Sequence, residues 1–418
     1  MRRVLVIAYY FPPMGLSGVQ RIAGFVRHLP ACGWEPTVLT VRPAGYFAYD
    51  ESLLDPLKET GVRVIRTRSL DPTRLFRKRR VVALPRESAR RRLAGISEWV
   101  FVPDNKIGWL PFALAAGGQL VKEFSFDAIF SSAPPYTAHL IGAGLSRRTG
   151  IPLVVDYRDD WVENPRHSNP TRLHQVLHAR LERRVVRQSR AVLTINDPIR
   201  RLILERNPEA RVQVIPHGHD IAHPVPTAPR SDDKLQLLYT GVFYDVQTPD
   251  YFLKGLRRFL DSCPEARGRV EVMFAGVYPE ASKGLIRLLD LSDSVHLLGY
   301  LPHMEVLELQ HQADVLWMTI GTRRGSEGIT TGKLSEYIGH RKPILALIPE
   351  GTAKETLTCY RAAIFAPPED VPAIAAALAG IFRNWVSGTL PKPDETFAQS
   401  LSRSRLTRML AATLGYGQ

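Results

Sequence analysis

A Gly-Lys pair in the segment GITTGKLSEY, residues 328–337, is the first feature of this sequence that suggests chemistry. Such a pair occurs in phosphate-binding loops, but a Walker-type loop requires a glycine, four residues, and then Gly-Lys followed by Ser or Thr. Only three residues separate Gly328 from Gly332, and Leu334 stands where a hydroxyl would hold magnesium. The spacing therefore excludes a P-loop NTPase, and Lys333 needs another explanation.

This lysine follows the point at which a predicted strand gives way to a predicted helix. The apolar run that ends at about Ile320 indicates a buried strand. The helix is expected from about Thr331 to Arg341, with Thr330 or Thr331 as its N-cap. A helix start presents free backbone N–H groups and the positive end of the helix dipole, which together attract an anion.

Three residues at this helix start suit a phosphorylated ligand. Gly332 would let the ligand approach the backbone closely, and Lys333 would add a full positive charge. Glu336, three residues on, would accept hydrogen bonds from ribose hydroxyls. With both charged side chains expected to be exposed, the set predicts a nucleotide-sugar site. The alternative is a surface helix with a Lys–Glu pair that contributes only about 0.2–0.5 kcal/mol.

A second polar group lies in the sequence DYRDDW, which follows another apolar run. Open parallel sheets bind ligands beyond the carboxyl ends of their strands, so Asp156, Arg158 and Asp159 are predicted to lie at a ligand-binding cleft. Ion pairing with a purely structural role is the alternative.

Strand and helix patterns alternate along the chain. Continuous apolar runs such as RVLVIAYY are typical of strands buried on both faces of a parallel sheet, and they restart after the Pro- and Asp-rich segment DIAHPVPTAPRSDDK. The sequence therefore predicts an α/β fold of two Rossmann-like doubly wound domains that face each other across a cleft. The expected parts are an N-terminal domain at 1–220, a linker at 221–234, a C-terminal domain at 235–395, and a C-terminal helix at 396–418 that packs back on the N-terminal domain.

Size and composition indicate a globular protein of a reducing compartment. The chain has 418 residues, of which 44% are hydrophobic and 23% charged, and its three cysteines lack disulfide or zinc-site spacing. No uninterrupted stretch of 18 apolar residues is present. The N-terminal run Val4–Phe11 is short and lacks a cleavage site, so we expect a first strand, no membrane span and a cytoplasmic location.

Positive charge is concentrated in the first half. Residues 1–220 carry 34 Lys and Arg against 20 Asp and Glu, which accounts for the whole formal net charge of +14. The densest run, residues 74–93, mixes arginines with apolar residues. This mixture favours an anionic lipid surface, near which each basic residue contributes about 1 kcal/mol. A solvated basic face is the alternative, and nucleic acid is disfavoured because only Phe76 is available to stack on a base.

Segments spread along the chain resemble, in the same order, those of one enzyme family. They are FPPMGLSGVQRIAGFVRHLPACGWEPTVLT, PDNKIGWLPFA, FDAIFSSAPPYTAHLIG, IPLVVDYRDDW, VQVIPHGHD, LLYTGVFY and GKLSEYIGHRKPIL. Over nearly its whole length the sequence resembles the family 4 retaining glycosyltransferases, most closely their bacterial surface-polysaccharide branch. The resemblance implies the GT-B fold, with an acceptor-side N-terminal domain and a C-terminal domain that binds a nucleotide-diphosphate sugar.

The resemblance also implies donor-site residues. Glu336 matches the second glutamate of the family's paired-glutamate motif, which holds the ribose, whereas Gly328 replaces the first, with Glu327 one position away. The family's Arg and Lys pair after the first strand of the second domain is missing from TGVFYDVQTPDY, so Lys333 would carry more of the diphosphate charge. The expected donor-binding residues are Gly15, Gly18, Gly241, Thr330, Thr331, Gly332, Lys333 and Glu336.

In the first domain the segment GLSG matches the family's glycine loop near the diphosphate, a plain structural turn being the alternative. Arg158 stands where many relatives have histidine, and the family's histidine after the strand FDAIFSS is replaced by Ser132-Ala133. His139 is expected to be a packing or surface residue, and His217 and His219 to shape a turn. The expected catalytic residues are Asp159, Arg158 and Asp156.

The mechanism implied by the family is a front-face substitution in which the departing diphosphate helps to deprotonate the acceptor hydroxyl. No Asp-x-Asp metal motif is present, so we expect neither a metal nor another cofactor. The expected partners are the nucleotide-sugar donor, a glycan or lipid-diphosphate-linked acceptor, and the anionic inner face of the cell membrane, but no nucleic acid. Two alternatives stay open, namely a GT-B-fold sugar-nucleotide epimerase and a non-catalytic basic protein that binds membranes or nucleic acid.

Overall fold

A computed structural model describes residues 1–15, 17–43, 49–72, 95, 97–164, 170–221, 233–243, 247–323 and 325–415. The chain divides into two compact units, here called unit 1 (residues 1–217 and 403–418) and unit 2 (residues 218–402). Most of the predicted linker and the basic run at 74–93 lie outside the described residues.

Unit 1 is built on a sheet of seven parallel strands. Along the chain they are β1 Arg2–Ile7, β2 Trp34–Val41, β3 Arg63–Thr67, β4 Ala128–Ala133, β5 Leu153–Tyr157, β6 Ala191–Thr194 and β7 Val212–Val214. Their order across the sheet is β3-β2-β1-β4-β5-β6-β7. Val6 of β1 pairs with Val38 on one side and Phe130 on the other. The order reverses between β1 and β4, and at such a switch point doubly wound sheets bind ligands.

Helices and side chains bury both faces of this sheet. Helices that the structure describes before residue 217 include α1 Ser17–His28, α2 Asp55–Lys58, α3 Leu110–Glu123, α4 Thr137–Thr149, α5 Arg172–Gln188 and α6 Asp197–Arg206. Leu5 and Ile7 of β1 join one buried cluster, and Val4 and Val6 join the other. Since successive side chains of a strand point to opposite faces, burial of both faces explains the unbroken apolar run.

Unit 2 repeats the architecture with six parallel strands. They are β8 Leu235–Val242, β9 Val270–Val277, β10 Val295–Gly299, β11 Val315–Thr319, β12 Ile344–Leu347 and β13 Ala363–Ala366, arranged in the order β10-β9-β8-β11-β12-β13. The helices are α7 Asp250–Ser262, α8 Glu280–Leu288, α9 His303–Gln312, α10 Gly332–His340, α11 Thr352–Tyr360, α12 Val371–Val386 and α13 Glu395–Ser400. Here too the order reverses, between β8 and β11.

The C-terminal segment is shared between the units. Helix α14, Arg403–Gly415, belongs to unit 1, where Leu406, Leu410 and Leu414 join the cluster that contains Val4 and Val6 of β1. Ala398 and Leu401, by contrast, are buried in a cluster of unit 2. The boundary therefore falls at 402/403, several residues after the start of the predicted C-terminal segment.

No helix within the described ranges combines the length and apolar character that a bilayer crossing requires.

Candidate functional site

The start of α10 in unit 2 carries the first group of predicted residues, here called the α10 site (Gly241, Thr331, Gly332, Lys333 and Glu336). Thr331 is the N-cap, with extended backbone angles (φ −118°, ψ 152°), but its side chain caps no helix N–H. Its Oγ1 is buried and has no hydrogen-bond partner among the described residues. Thr330 precedes it and is half-buried. The helix thus begins with a hydroxyl and backbone N–H groups available to a ligand.

Lys333 is held against β8 rather than extended into solvent. Its Nζ lies 3.7 Å from the centre of the Tyr239 ring. A β-carbon on Gly241 would stand 3.4 Å from the same Nζ, and the φ of Gly241 is +112°, a value that favours glycine. The expected exposure of this lysine is therefore wrong. Packing against Tyr239 leaves it half-buried because β8 and α10 adjoin through tertiary folding.

The ammonium of Lys333 has no anionic partner in direct contact. It forms no hydrogen bond or ion pair with any residue the structure describes. Burial lowers the pKa of Lys333 to about 7, although the charge of Glu336 acts in the opposite direction. A desolvated lysine beside a helix start is a site at which an anion would restore the charged form.

Glu336 is fixed by a network that the sequence did not predict. Its Oε1 accepts a hydrogen bond of 2.7 Å from Gln310 Nε2, which also donates to Thr240 Oγ1 at 2.9 Å. His303 Nε2 lies 3.8 Å from Glu336 Oε2. The Glu336 side chain is only 17% exposed, so the expected exposure is wrong for this residue also, since α9 covers it. No local signal marks Gln310, because it lies 26 residues before Glu336.

The residues at and beside the family's first-glutamate position, Gly328 and Glu327, lie in the loop before α10. Glu327 and Gly328 lie in a 3₁₀ turn, Ser326–Gly328, in which the Glu327 side chain is exposed. The backbone of Glu327 packs against Gly351, where a β-carbon would stand 2.2 Å from the backbone carbonyl oxygen of Glu327. The loop is thus set by backbone packing.

Aromatic side chains line the carboxyl ends of β8 and β9 beside Lys333. Phe243 stacks on Tyr239 with ring centres 4.1 Å apart, and Tyr278 meets Phe243 edge-on at 6.0 Å. The Tyr278 hydroxyl and Asp250 Oδ1 are both buried without a hydrogen-bond partner among the described residues. This wall supplies ring faces and unused polar atoms, and sequence reasoning missed it.

In unit 1 the end of β5, the residues that follow it and Gly18 of α1 form a second group, here called the β5 site (Gly18, Asp156, Arg158 and Asp159). Asp156 is fully buried and accepts hydrogen bonds from Arg21 Nη2 at 2.8 Å and from Ser132 Oγ at 2.8 Å. Burial opposes ionisation, but Arg21 and Ser132 together hold the pKa of the Asp156 carboxyl below its ordinary value. Asp156 therefore forms a buried ion pair, as in the structural alternative considered for this group, and offers no exposed carboxylate.

Arg158 lies over the first turn of α1. Its Nε donates to the carbonyl of Ala133 at 3.1 Å and its Nη2 to that of Pro134. A β-carbon on Gly18 would stand 1.6 Å from Arg158 Nη1, so only glycine admits the guanidinium here. Gly15 lies in the same loop, buried, between β1 and α1. A cation at the start of α1 creates a positive region that suits an anion.

The two neighbouring carboxylates after Arg158 have opposite roles. Asp159 is half-buried, and its carboxylate forms no hydrogen bond or ion pair with a described residue. Asp160 is buried. Its Oδ2 accepts a hydrogen bond of 3.1 Å from the backbone N–H of Val162, and its Oδ1 lies 2.5 Å from Arg206 Nη2 in an ion pair. Asp159 is therefore the carboxylate of this segment that is available to a ligand.

Burial keeps two histidines of unit 1, His139 and His217, in the neutral form. His139 is buried on α4, with its Nδ1 2.9 Å from Ser131 Oγ, and burial lowers its pKa to about 3. This is the packing role that was expected. Burial also lowers the pKa of His217 to about 3, with contributions from Arg21 and Arg158, so its imidazole adjoins the β5 site. In unit 2, His219 packs against Gly339, and its Nε2 lies 3.0 Å from the carbonyl of Ala398.

Comparison with known proteins relates both units to one enzyme class. Residues 18–218 match the family model of the glycosyl transferase 4-like domain, and residues 235–384 match that of the glycosyl transferases group 1. A Salmonella typhimurium protein named as a colanic acid biosynthesis glycosyltransferase, WcaL, is 25% identical over 171 residues. This alignment covers 38% of the present chain and 42% of the relative, so the chain matches less than half the length of that protein.

Solved structures share the fold at low sequence identity. A glycosyltransferase from Rickettsia africae is 12% identical with a TM-score of 0.67, covering 100% of this chain and 99% of that one. Anabaena HepE, solved in complex with UDP, is 15% identical with a TM-score of 0.59, covering 99% and 95%.

Proposed function

Because the chain belongs to the family 4 glycosyltransferases of the GT-B fold, we propose that it moves a sugar, with retained anomeric configuration, from a nucleotide-diphosphate sugar to a hydroxyl of a glycan or lipid-linked acceptor. The observation that carries this proposal is the α10 site. There a half-buried lysine without an anionic partner lies beside a helix start whose N-cap hydroxyl is unused.

The donor diphosphate binds to the N–H groups at the start of α10, the Thr331 hydroxyl and Lys333. Charge-assisted hydrogen bonds of this kind are stronger than neutral ones, and the low local dielectric strengthens them further. Glu336, oriented by Gln310, accepts the ribose hydroxyls. The aromatic wall of Phe243 and Tyr278 gives the ligand an apolar boundary with two unused polar atoms.

The acceptor side is assigned to the β5 site. Asp159 contacts the acceptor, and Arg158 with the first turn of α1 stabilises negative charge that develops on the leaving group. Asp156 acts through Arg21 as a positioning residue, since its carboxylate is fully buried and already paired.

Retention follows from attack on the face from which the diphosphate leaves. The bond between the anomeric carbon and the acceptor oxygen forms as the bond to the phosphate oxygen breaks, and the acceptor proton passes to the departing phosphate. The protein supplies orientation and charge stabilisation rather than a nucleophile. We expect no obligatory metal, so chelation should leave the rate unchanged.

The biological setting is proposed to be surface-polysaccharide synthesis at the inner face of the cell membrane. The name of the WcaL relative and the positive charge of residues 1–220 support this setting. The acceptor is then a sugar on a lipid diphosphate carrier.

The test has two stages. A thermal-shift screen with UDP-, GDP- and ADP-sugars identifies the donor, and the anomeric configuration of the product is then read by NMR. Release of nucleoside diphosphate that requires an added acceptor supports transfer. Release without acceptor, with a changed sugar, supports the epimerase alternative. Absence of any nucleotide-sugar binding overturns the proposal in favour of a non-catalytic basic protein.

A further inference from the structure

One face of α5 in unit 1 is exposed along the whole helix and has no role in either site. Leu173, Val176, Arg180, Arg184 and Arg187 are all exposed, and their spacing of three or four residues places them along one stripe. Arg172 and Arg183 are exposed beside it. This set is here called the α5 face.

The first turns of the α5 face are apolar. Leu173 is 63% and Val176 43% exposed. Trp99 and Val100, which are 60% and 66% exposed, lie in a segment that contacts α5 through His174. The connection is direct, since His174 Nε2 lies 3.2 Å from the Trp99 carbonyl oxygen and the two rings are 5.8 Å apart. Four large exposed apolar side chains therefore lie on the start of α5 and on the segment that contacts it, and exposed apolar groups of this kind mark an interaction surface.

The later turns of the α5 face are cationic. Arg180, Arg183, Arg184 and Arg187 line a shallow groove with Gln188. None of the five arginines of the face pairs with a carboxylate of the described chain. The acidic residue of α5, Glu182, is buried on the opposite side and paired with Arg206 at 2.7 Å. Glu98, beside Trp99, is half-buried and already engaged.

We propose that the α5 face, with Trp99 and Val100, docks on an anionic lipid bilayer. Tryptophan and short apolar side chains insert at the boundary between headgroups and acyl chains, and the arginines meet the lipid phosphates. Each basic residue near such a surface raises partition about fivefold. A nucleic-acid surface would instead pair its arginines with stacking aromatic rings, and exposed leucine and valine do not stack on bases.

This inference takes its biological setting from the proposed function and rests on it in that respect. It deepens that function, because a lipid-linked acceptor would lie at the same membrane. The α5 face contains no residue of the basic run at 74–93. Docking through this face assigns the contact to residues that take no part in donor binding, so membrane binding and catalysis are separately measurable.

The experiment is co-sedimentation of the full chain with phosphatidylcholine vesicles, with and without phosphatidylglycerol, at low and high salt. Wild type should bind only the anionic vesicles and should be released by salt, since screening shortens the range of the attraction. Two variants test the two parts of the face, one apolar (Trp99→Ser with Leu173→Ser) and one basic. The basic variant carries Arg180→Gln, Arg183→Gln, Arg184→Gln and Arg187→Gln.

The matched control removes four exposed positive charges from unit 2. It carries Lys254→Gln, Arg258→Gln, Arg287→Gln and Arg383→Gln. We expect a loss of at least tenfold in vesicle partition for the basic α5 variant, a severalfold loss for the apolar variant, and little change for the control. Circular dichroism establishes that each variant is folded.

Equal losses in the basic variant and the control would overturn the proposal, because net charge alone would then explain binding. So would arginine-dependent binding to a single-stranded RNA oligonucleotide without vesicle binding. Thermal shifts with nucleoside diphosphate are measured on the same samples. If these shifts persist while vesicle binding is absent, docking fails but the proposed function stands.

Discussion

Lys333 Nζ lies 3.7 Å above the ring of Tyr239, and this contact converts an ordinary surface lysine into a desolvated cation. The two residues come from a helix start and from a strand 94 positions earlier in the chain. Burial in this contact lowers the pKa of Lys333 to about 7 and brings its side chain against Gly241, whose φ of +112° favours glycine.

Binding of a nucleoside diphosphate should take up protons through Lys333. Free Lys333 has a pKa of about 7, and a bound phosphate raises it. Between these two pKa values binding requires a proton, so affinity should fall by up to about tenfold per pH unit as the pH rises above 7. Calorimetry at pH 8 in buffers of different ionisation enthalpy measures the uptake.

Two variants sharpen this prediction. Lys333→Ala should lose the proton uptake and about 1.5–3 kcal/mol of binding without unfolding. Lys333→Arg should bind with no pH dependence, because guanidinium stays charged. Unchanged turnover and unchanged buffer dependence in Lys333→Ala would remove this residue from the donor site.

Glu336→Gln should weaken donor binding by about 1.5–3 kcal/mol, because an amide is a weaker acceptor than a carboxylate for ribose hydroxyls. Comparison of UDP with 2′-deoxy-UDP, or the equivalent pair for the nucleotide that binds, isolates the contact. Wild type should discriminate between the two ligands, and the variant should do so less. Equal discrimination by both proteins would assign Glu336 to another part of the ligand.

Gly241→Ala should lower both stability and donor affinity. A residue other than glycine at φ +112° costs about 1–3 kcal/mol, and the new methyl would press on the Lys333 side chain. Gly284→Ala is the control, since that helical glycine faces open space and the change should stabilise α8 by up to about 1 kcal/mol. Urea denaturation and thermal shift measure the two effects, and equal stability of the two variants would contradict the account.

Gly18→Ala should impair catalysis with little loss of stability. The methyl would stand 1.6 Å from Arg158 Nη1, and the guanidinium, as the end of a flexible side chain, is displaced rather than the backbone. We expect kcat to fall at least tenfold with the melting temperature nearly unchanged. Gly118→Ala, on α3 with no atom nearby, is the control. Full activity of Gly18→Ala would show that the Arg158 position is not critical.

Asp159→Asn should slow transfer more than it weakens donor binding, because the unpaired Asp159 carboxylate lies in unit 1, which we propose binds the acceptor. Asp160→Asn should instead destabilise the fold by about 1–3 kcal/mol, since it weakens hydrogen bonds to Arg206 and to the backbone. Steady-state kinetics and denaturation measure the two variants together. An equal loss of nucleotide affinity in Asp159→Asn would place Asp159 at the donor instead.

Local patterns along the chain predict the architecture and the residues that stand at strand ends and helix starts. Unbroken apolar runs such as that of β1 dictate strands buried on both faces, and their alternation with helices dictates parallel sheets. The free N–H groups at the start of α10 follow from the local pattern alone, so the position of Gly332 and Lys333 at a helix start could be predicted.

Which side chains are paired and which are available to a ligand depends on tertiary contacts. Arg21 and Asp156 meet across 135 residues, Gln310 and Glu336 across 26, and neither pair leaves a periodic signal. Of the two adjacent carboxylates Asp159 and Asp160, packing alone selects the second for Arg206. Burial and pKa depend on the three-dimensional neighbours of a group, and a linear pattern specifies only its neighbours along the chain.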